Sequence, residues 1–313
     1  MKKKKAVFMT ALLLAAVGIT AVIAMAAGRK KEKEGILCVT SFYPMYLLAD
    51  SVAEGAENVR VVNLTENHGG CLHDYTLTTQ DMRLLSEADL FLINGGGMEL
   101  FLTKTAEDYK NLRIVDTSKG YTFFEETEHN HALNAHLWLD IEGYLLQLSN
   151  TEEAFVAADP SQEEIYRKNA EACRKELMAL KAEYDEGKDE LSGGKTVVFH
   201  EGFVYLFHML GIETIHCLAM DSDTQISAGE AAQIIEECRL HGITRLFSEA
   251  DYAQTVTDTF AAETQGTVFV LDAVTGGEMS ASDKESTTPA GVALYCSRMR
   301  ENLEIIKRAY GLR

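Results

Sequence analysis

The sequence lacks any C-x-x-C pair, although it holds six cysteines (Cys38, Cys71, Cys173, Cys217, Cys238 and Cys296). That spacing argues against a zinc finger or a dithiol redox centre. It also lacks H-E-x-x-H, so the usual helix-borne metalloprotease site is not written here. No low-complexity tract or short-period repeat appears. Positive charge is scarce as well: 29 Lys and Arg stand against 48 Asp and Glu, for a formal net charge of −19. An acidic balance of this size repels phosphate backbones and gathers cations, which makes nucleic acid an improbable partner and leaves the cation unnamed.

What is present is a chain that folds. Hydrophobic residues make up 46% and charged residues 25% of 313 residues, an ordinary globular balance at a length that favours two α/β lobes. Residues 1–28 differ from the rest: Lys2 to Lys5 precede an apolar run from Ala6 to Ala27. The run reads as an export segment, with two outcomes open. Ala24-Met25-Ala26 supplies a small-x-small site for cleavage after Ala26, while the run is also long enough to stay as an N-terminal membrane anchor. Either way the chain is expected outside the cytoplasm, periplasmic or at the cell surface. The first cysteine is Cys38, so a lipoprotein-type N-terminus is not expected. Export permits disulfides; for Cys38 and Cys173 a buried free thiol is the simpler reading.

Strand and helix patterns alternate. Strands are expected at 36–42, 58–64, 90–94 and 112–116, then at 196–199, 212–217, 245–248 and 268–271. Helices are expected at 44–52, 78–87, 203–210, 228–240, 253–264 and 291–309. Uniformly apolar strands with intervening helices indicate parallel sheets covered on both faces. Between the two series, 161–191 has no Pro and no Gly before Gly187, with apolar residues at helical spacing, and reads as one long helix. The expected layout is α/β: two parallel-sheet βα lobes, 36–150 and 195–313, joined by the single helix 161–191, with a cleft between them.

Four side chains fall after strands on this map: His73 in ENHGGCLHDY, His136 in AHLWLD, His200 ending VVFH and Asp272 ending VFVLD. Each has a plain structural reading, as a loop or half-buried histidine or a turn-capping aspartate. Jointly they matter more, because open α/β sheets bind ligands at the carboxyl ends of their strands.

Several motifs together resemble one family, the substrate-binding proteins that deliver zinc or manganese to ABC importers. VTSFYPMYLLADSVAE resembles its opening strand and helix, and CLHDYTLTTQDMRLLSEADLFLINGGGMELFL its first-ligand loop with the helix and strand that follow. AHLWLD, VVFHEGFVYLFHMLGIE and VFVLDAVTGGE are similar to its three later ligand segments. The resemblance covers nearly all of the chain after the export segment. It implies a metal site of His73, His136, His200 and Asp272 in the interlobe cleft, a transported Zn(II) with Mn(II) as the alternative, an ABC permease as partner, a monomer, and no catalysis.

The chain departs from the pattern at Cys71-Leu72 before the first ligand, at Leu77-Thr78 where Pro is common, and at Asp272-Ala273 where Asp-Pro is typical. Of the histidine-rich loop of zinc-specific members only His129 and His131 remain. Three imidazoles and a carboxylate suit tetrahedral zinc better than manganese, which prefers more oxygen donors. Two other readings stay in view. An exported zinc hydrolase would use three ligands with Glu201 or Glu249 as base, and a surface adhesin with a structural metal would unfold in EDTA.

Overall fold

A computed structural model describes residues 35–66, 72, 75–101, 109, 112–124, 133–218, 227–250, 254–277 and 287–312. The expected export segment 1–28 and Cys71, His73, His129 and His131 lie outside these described residues. Ile36–Arg313 forms one unit.

The apolar runs become eight strands among the described residues, in two sheets of four. The first contains β1 (Ile36–Thr40), β2 (Val59–Asn63), β3 (Leu90–Ile93) and β4 (Arg113–Asp116), in the order β2-β1-β3-β4. The second contains β5 (Lys195–Val198), β6 (Glu213–Cys217), β7 (Arg245–Glu249) and β8 (Thr267–Leu271), in the matching order β6-β5-β7-β8. All pairings are parallel. Central β1 and β3 are the buried strands and edge strand β2 is half exposed, as burial on both faces demands of the centre alone. In each sheet the chain leaves the first strand to one side and returns on the other, so a switch point opens at the strand ends of β1/β3 and of β5/β7.

The helices are α1 (Tyr43–Ala53), α2 (Thr79–Glu87), α3 (Ile141–Ala158), α4 (Glu163–Leu191), α5 (Phe203–Met209), α6 (Ala228–His241), α7 (Gln254–Thr264) and α8 (Ala290–Ala309). Thr78, at the place of the expected Pro, caps α2: its hydroxyl accepts the Asp81 N–H at 3.2 Å while Asp81 accepts the Thr78 N–H at 2.7 Å. The joining helix α4 runs 29 residues, roughly 40 Å at 1.5 Å per residue. It buries Tyr166, Ala170, Cys173, Leu177, Leu180 and Tyr184, a stripe at three- and four-residue spacing.

Helix α3 occupies a segment for which the sequence pattern gave no element, and it spans position 150. Asp140 starts it by accepting the Glu142 N–H. Its inner face carries polar groups: Gln147 donates to Asn94 Oδ1 at 3.0 Å and to Thr117 Oγ1 at 3.1 Å, and Glu152 pairs with Arg167 and Arg174.

One hydrophobic core runs beneath both sheets. Leu90 and Leu92 of β3 share it with Val198, Phe247 and Leu271 of the second sheet, through Leu47 and Leu48 of α1, Leu177 of α4 and Met299 of α8. Tyr144 and Tyr295 stack across it with ring centroids 3.9 Å apart. Smaller clusters cover the outer faces of the two sheets. Among the described residues no helix is long and apolar enough to cross a membrane.

Candidate metal centre

His200 lies two residues beyond β5, and Glu249 is the last residue of β7. These strands flank the switch point of the second sheet, so both side chains stand where such a sheet offers a ligand site. His136 comes from the first half of the chain, at the start of the 3-10 turn Leu137–Leu139. The imidazoles of His136 and His200 meet edge to face with centroids 5.0 Å apart, and both residues are buried, 2% and 3% exposed.

The segment carrying His136 is hydrogen-bonded almost residue by residue. Asn134 Oδ1 accepts both the backbone N–H of His136, at 3.2 Å, and its ring Nδ1–H, at 2.9 Å. An amide oxygen only accepts, so the proton of neutral His136 sits on Nδ1 and Nε2 keeps its lone pair. Asn134 Nδ2 donates to the Glu201 carbonyl at 3.0 Å and Tyr205 donates to the Asn134 carbonyl at 2.7 Å, which ties this loop to the segment following β5. Asn94 Nδ2 holds the Ala135 carbonyl at 2.8 Å.

Asn94 is itself held by Glu99, which accepts the N–H groups of Asn94 and Gly95 at 2.7 and 3.1 Å. Burial pushes the Glu99 carboxyl up to about 7. The folded chain therefore holds that proton more tightly than the unfolded chain does. Its contribution to stability declines as pH rises from the ordinary carboxylate range through about 7.

Two residues further along, Trp138 Nε1 donates to the Ala273 carbonyl at 2.8 Å, joining the His136 segment to the segment of Asp272. Tyr295 donates to the Trp138 carbonyl at 2.7 Å.

His200 is placed differently from His136. Its Nδ1 accepts the Gly202 N–H at 3.1 Å, which puts the proton of the neutral ring on Nε2, 3.6 Å from Glu249 Oε2. For Nε2 to carry a metal, that proton has to leave and the Gly202 contact has to yield as Nδ1 takes up a proton.

Asp272 follows β8 directly. Its Oδ1 accepts the Val274 N–H at 2.6 Å, and its Oδ2 lies 3.5 Å from Arg298 Nη1. Its backbone is clamped by Asn302, which accepts the Asp272 N–H at 2.8 Å and donates to its carbonyl at 2.7 Å. Val274 has φ +59°, a left-handed conformation costly for a β-branched residue and held here by complete burial and the Asp272 carboxylate.

The structure thus brings His136 and His200 together and turns the Asp272 carboxylate to Arg298 and the Val274 N–H. His73 lies outside the described residues. Among the described residues no three His, Cys, Asp or Glu side chains gather as a metal-holding group. Cys38, inside β1, is fully buried and its thiol is pushed far up by burial. Cys173 is likewise a buried free thiol.

Sequence reasoning passed over Asn134 and Gly202. Asn-x-His in LNAH was the available signal for the first. For Gly202 there was none, because its role is spatial: a Cβ there would stand 2.6 Å from Leu139 Cδ1, 3.0 Å from His200 Cε1 and 3.1 Å from His136 Cβ. Gly202→Ala is therefore expected to wedge the imidazoles apart, costing about 1–3 kcal/mol of stability by overpacking. Zinc affinity should fall by about tenfold or more, within the range seen when supporting groups around a metal are disturbed. Gly229→Ala, whose Cβ meets nothing within 4 Å, is the control. Calorimetric titration of both variants with zinc checks this; equal affinities would show that the close approach at Gly202 is immaterial.

The profile of a family described as zinc-uptake complex component A, periplasmic (ZnuA), matches residues 38–309. The zinc-binding lipoprotein AdcA of Streptococcus pneumoniae serotype 4 is 26% identical over 312 residues, a match that covers 95% of this chain but 60% of that protein. The high-affinity zinc uptake system protein ZnuA of Bacillus subtilis is 25% identical over 283 residues, covering 86% of each. Among solved structures, the substrate-binding protein FpvC of Pseudomonas aeruginosa in complex with Mn2+ superimposes with a TM-score of 0.74 at 20% identity, covering 88% of this chain and 98% of that one.

Proposed function

The chain belongs to the family of the periplasmic zinc-uptake complex component A, metal-binding substrate-binding proteins rather than enzymes, and on that premise we propose that it captures Zn(II) outside the cytoplasm and passes it to an ABC importer. His73, His136, His200 and Asp272 are the proposed ligands. The observation that carries this reading is the buried pair of imidazoles at 5.0 Å. A ring whose nitrogen binds zinc at about 2.0–2.1 Å has its centroid roughly 3.2 Å from the ion, so two rings on one tetrahedral ion stand roughly 5 Å apart. The Nδ1–H of His136 on Asn134 supports the same reading, since a metal-binding imidazole typically anchors its other nitrogen in this way.

Zinc is preferred to manganese on donor chemistry. Three imidazoles with one carboxylate form a borderline site, and manganese seeks more oxygen. The zinc-binding and zinc-uptake relatives from Streptococcus pneumoniae and Bacillus subtilis are in accord with this. Four protein ligands would leave no open position for an activated water, which separates capture from hydrolysis.

Metal analysis of protein purified without added metal, followed by zinc and manganese competition, tests both the class and the cation. Stoichiometric zinc that outcompetes manganese is expected. Zinc affinity should also weaken below about pH 6.5, the ordinary imidazole range, because each ligating histidine binds the metal only when neutral. Calorimetry between about pH 5 and 7.5 that found no such dependence would defeat the imidazole site. EDTA should remove the metal and leave the fold; unfolding in EDTA would favour a structural metal instead.

A further inference from the structure

Arg298 of α8 stands between the two halves of the chain. Its Nη1 lies 3.5 Å from Asp272 Oδ2 and donates to the Gly276 carbonyl at 2.5 Å. Its guanidinium also lies over the ring of Tyr43, on α1, 5.5 Å from the centroid. The Arg298 side chain is 17% exposed and that of Asp272 45%, so the cation is the better buried partner. Among the described residues the buried Tyr43 hydroxyl has no hydrogen-bond partner. A guanidinium is a planar, weakly hydrated cation suited to pairing with a carboxylate and to lying on an aromatic face.

We propose that Arg298 competes with the bound metal for Asp272 and thereby sharpens selection of zinc over manganese. This rests on the reading that Asp272 is a metal ligand. A dication arriving at Asp272 meets a fixed positive charge already on the carboxylate. Binding must then either share the carboxylate against like-charge repulsion or displace the guanidinium. The Gly276 carbonyl and the face of Tyr43, within the roughly 6 Å reach of a cation–π contact, keep the arginine seated when Asp272 turns to the metal. The penalty falls on the carboxylate alone. Zinc, held largely by imidazole nitrogen, loses a small share of its binding to it; manganese, which leans on oxygen donors, loses a large one. A purely structural arginine, bracing the turn after β8 through Gly276, would instead support both metals equally.

The test is Arg298→Gln, which removes the charge and keeps an N–H donor for Gly276, beside Arg298→Lys, which keeps the charge. Zinc and manganese affinities are measured on each by chelator competition, with circular dichroism and thermal melting as the check on folding. Arg298→Gln is expected to bind manganese about tenfold more tightly and to gain less for zinc, narrowing the preference, while Arg298→Lys retains the wild-type ratio. An unchanged or widened zinc-to-manganese ratio in Arg298→Gln overturns the proposal. If Arg298→Gln does not fold, Arg298→Met, neutral and of similar length, is read by the same criteria. Wild-type protein that binds neither ion would overturn the functional reading itself; wild-type binding with an unmoved ratio in the variant overturns the role of Arg298 alone.

Discussion

Replacing His200 by Ala is expected to lower zinc affinity by more than about 100-fold, since disturbing even the groups that support a ligand costs roughly 10–100-fold. His200 sits at the switch point of the second sheet, 3% exposed, with its ring centroid 5.0 Å from that of His136. The loss should appear in titration calorimetry with little change in the metal-free melting temperature, because the Gly202 N–H that His200 accepts can be met by water in the space the ring vacates. His129→Ala and His131→Ala are the comparison. These two residues lie in a polar stretch of the sequence outside the proposed ligand set, and each substitution should alter affinity far less. Losses equal to that of His200→Ala would move the site to that stretch.

Trp138→Ala should have the largest effect on stability, about 3–5 kcal/mol, as expected for emptying the space of a fully buried indole. Two contributions combine. The ring packs edge-on against Phe42 with centroids 4.9 Å apart, and its Nε1–H satisfies the Ala273 carbonyl. In a chain of this length the melting temperature should fall by roughly ten degrees. Trp138→Phe separates the contributions: it keeps most of the packing and leaves the Ala273 carbonyl unpaired, a loss of about 1–3 kcal/mol. Because this hydrogen bond joins the His136 segment to the Asp272 segment, Trp138→Phe should also weaken zinc binding. A variant that melted lower yet bound zinc as tightly would confine Trp138 to the core.

The strands were legible as short, uniformly apolar runs, and the helix Glu163–Leu191 by its apolar stripe at three- to four-residue spacing. Helix Ile141–Ala158 escaped because its inward face is partly polar. Gln147, Thr151 and Glu152 are buried there, and Ser149-Asn150-Thr151 reads as a loop when only apolar periodicity is followed. The same limit applies to the site. His136 and His200 announce themselves by residue type and by the strands before them. Asn134, Gly202 and Arg298 act on residues distant in the chain, or on neighbours only through folded geometry, and spacing carries no sign of that. Asp272 was legible as a candidate, but its ion pair with Arg298 was not, since α8 reads as an ordinary amphipathic helix.

The continuous core beneath both sheets bears on how an importer could tell a loaded protein from an empty one. Swinging one lobe against the other would open the core that Leu47 and Leu177 share with Met299, and each such side chain brought into water costs about 1.5–3 kcal/mol. A ligand shifts a conformational balance only by its differential affinity for the two forms, and several exposed side chains would consume most of what one ion can supply. The two halves are therefore expected to keep nearly the same mutual orientation with or without cargo. On the proposed function, what changes on loading is then local: two positive charges beside Asp272 and near Glu249, and the side chains that would turn to meet them. A receptor that admits only the charged carrier has to read that electrostatic difference at the mouth, as one reads a coin by its face when its outline never varies.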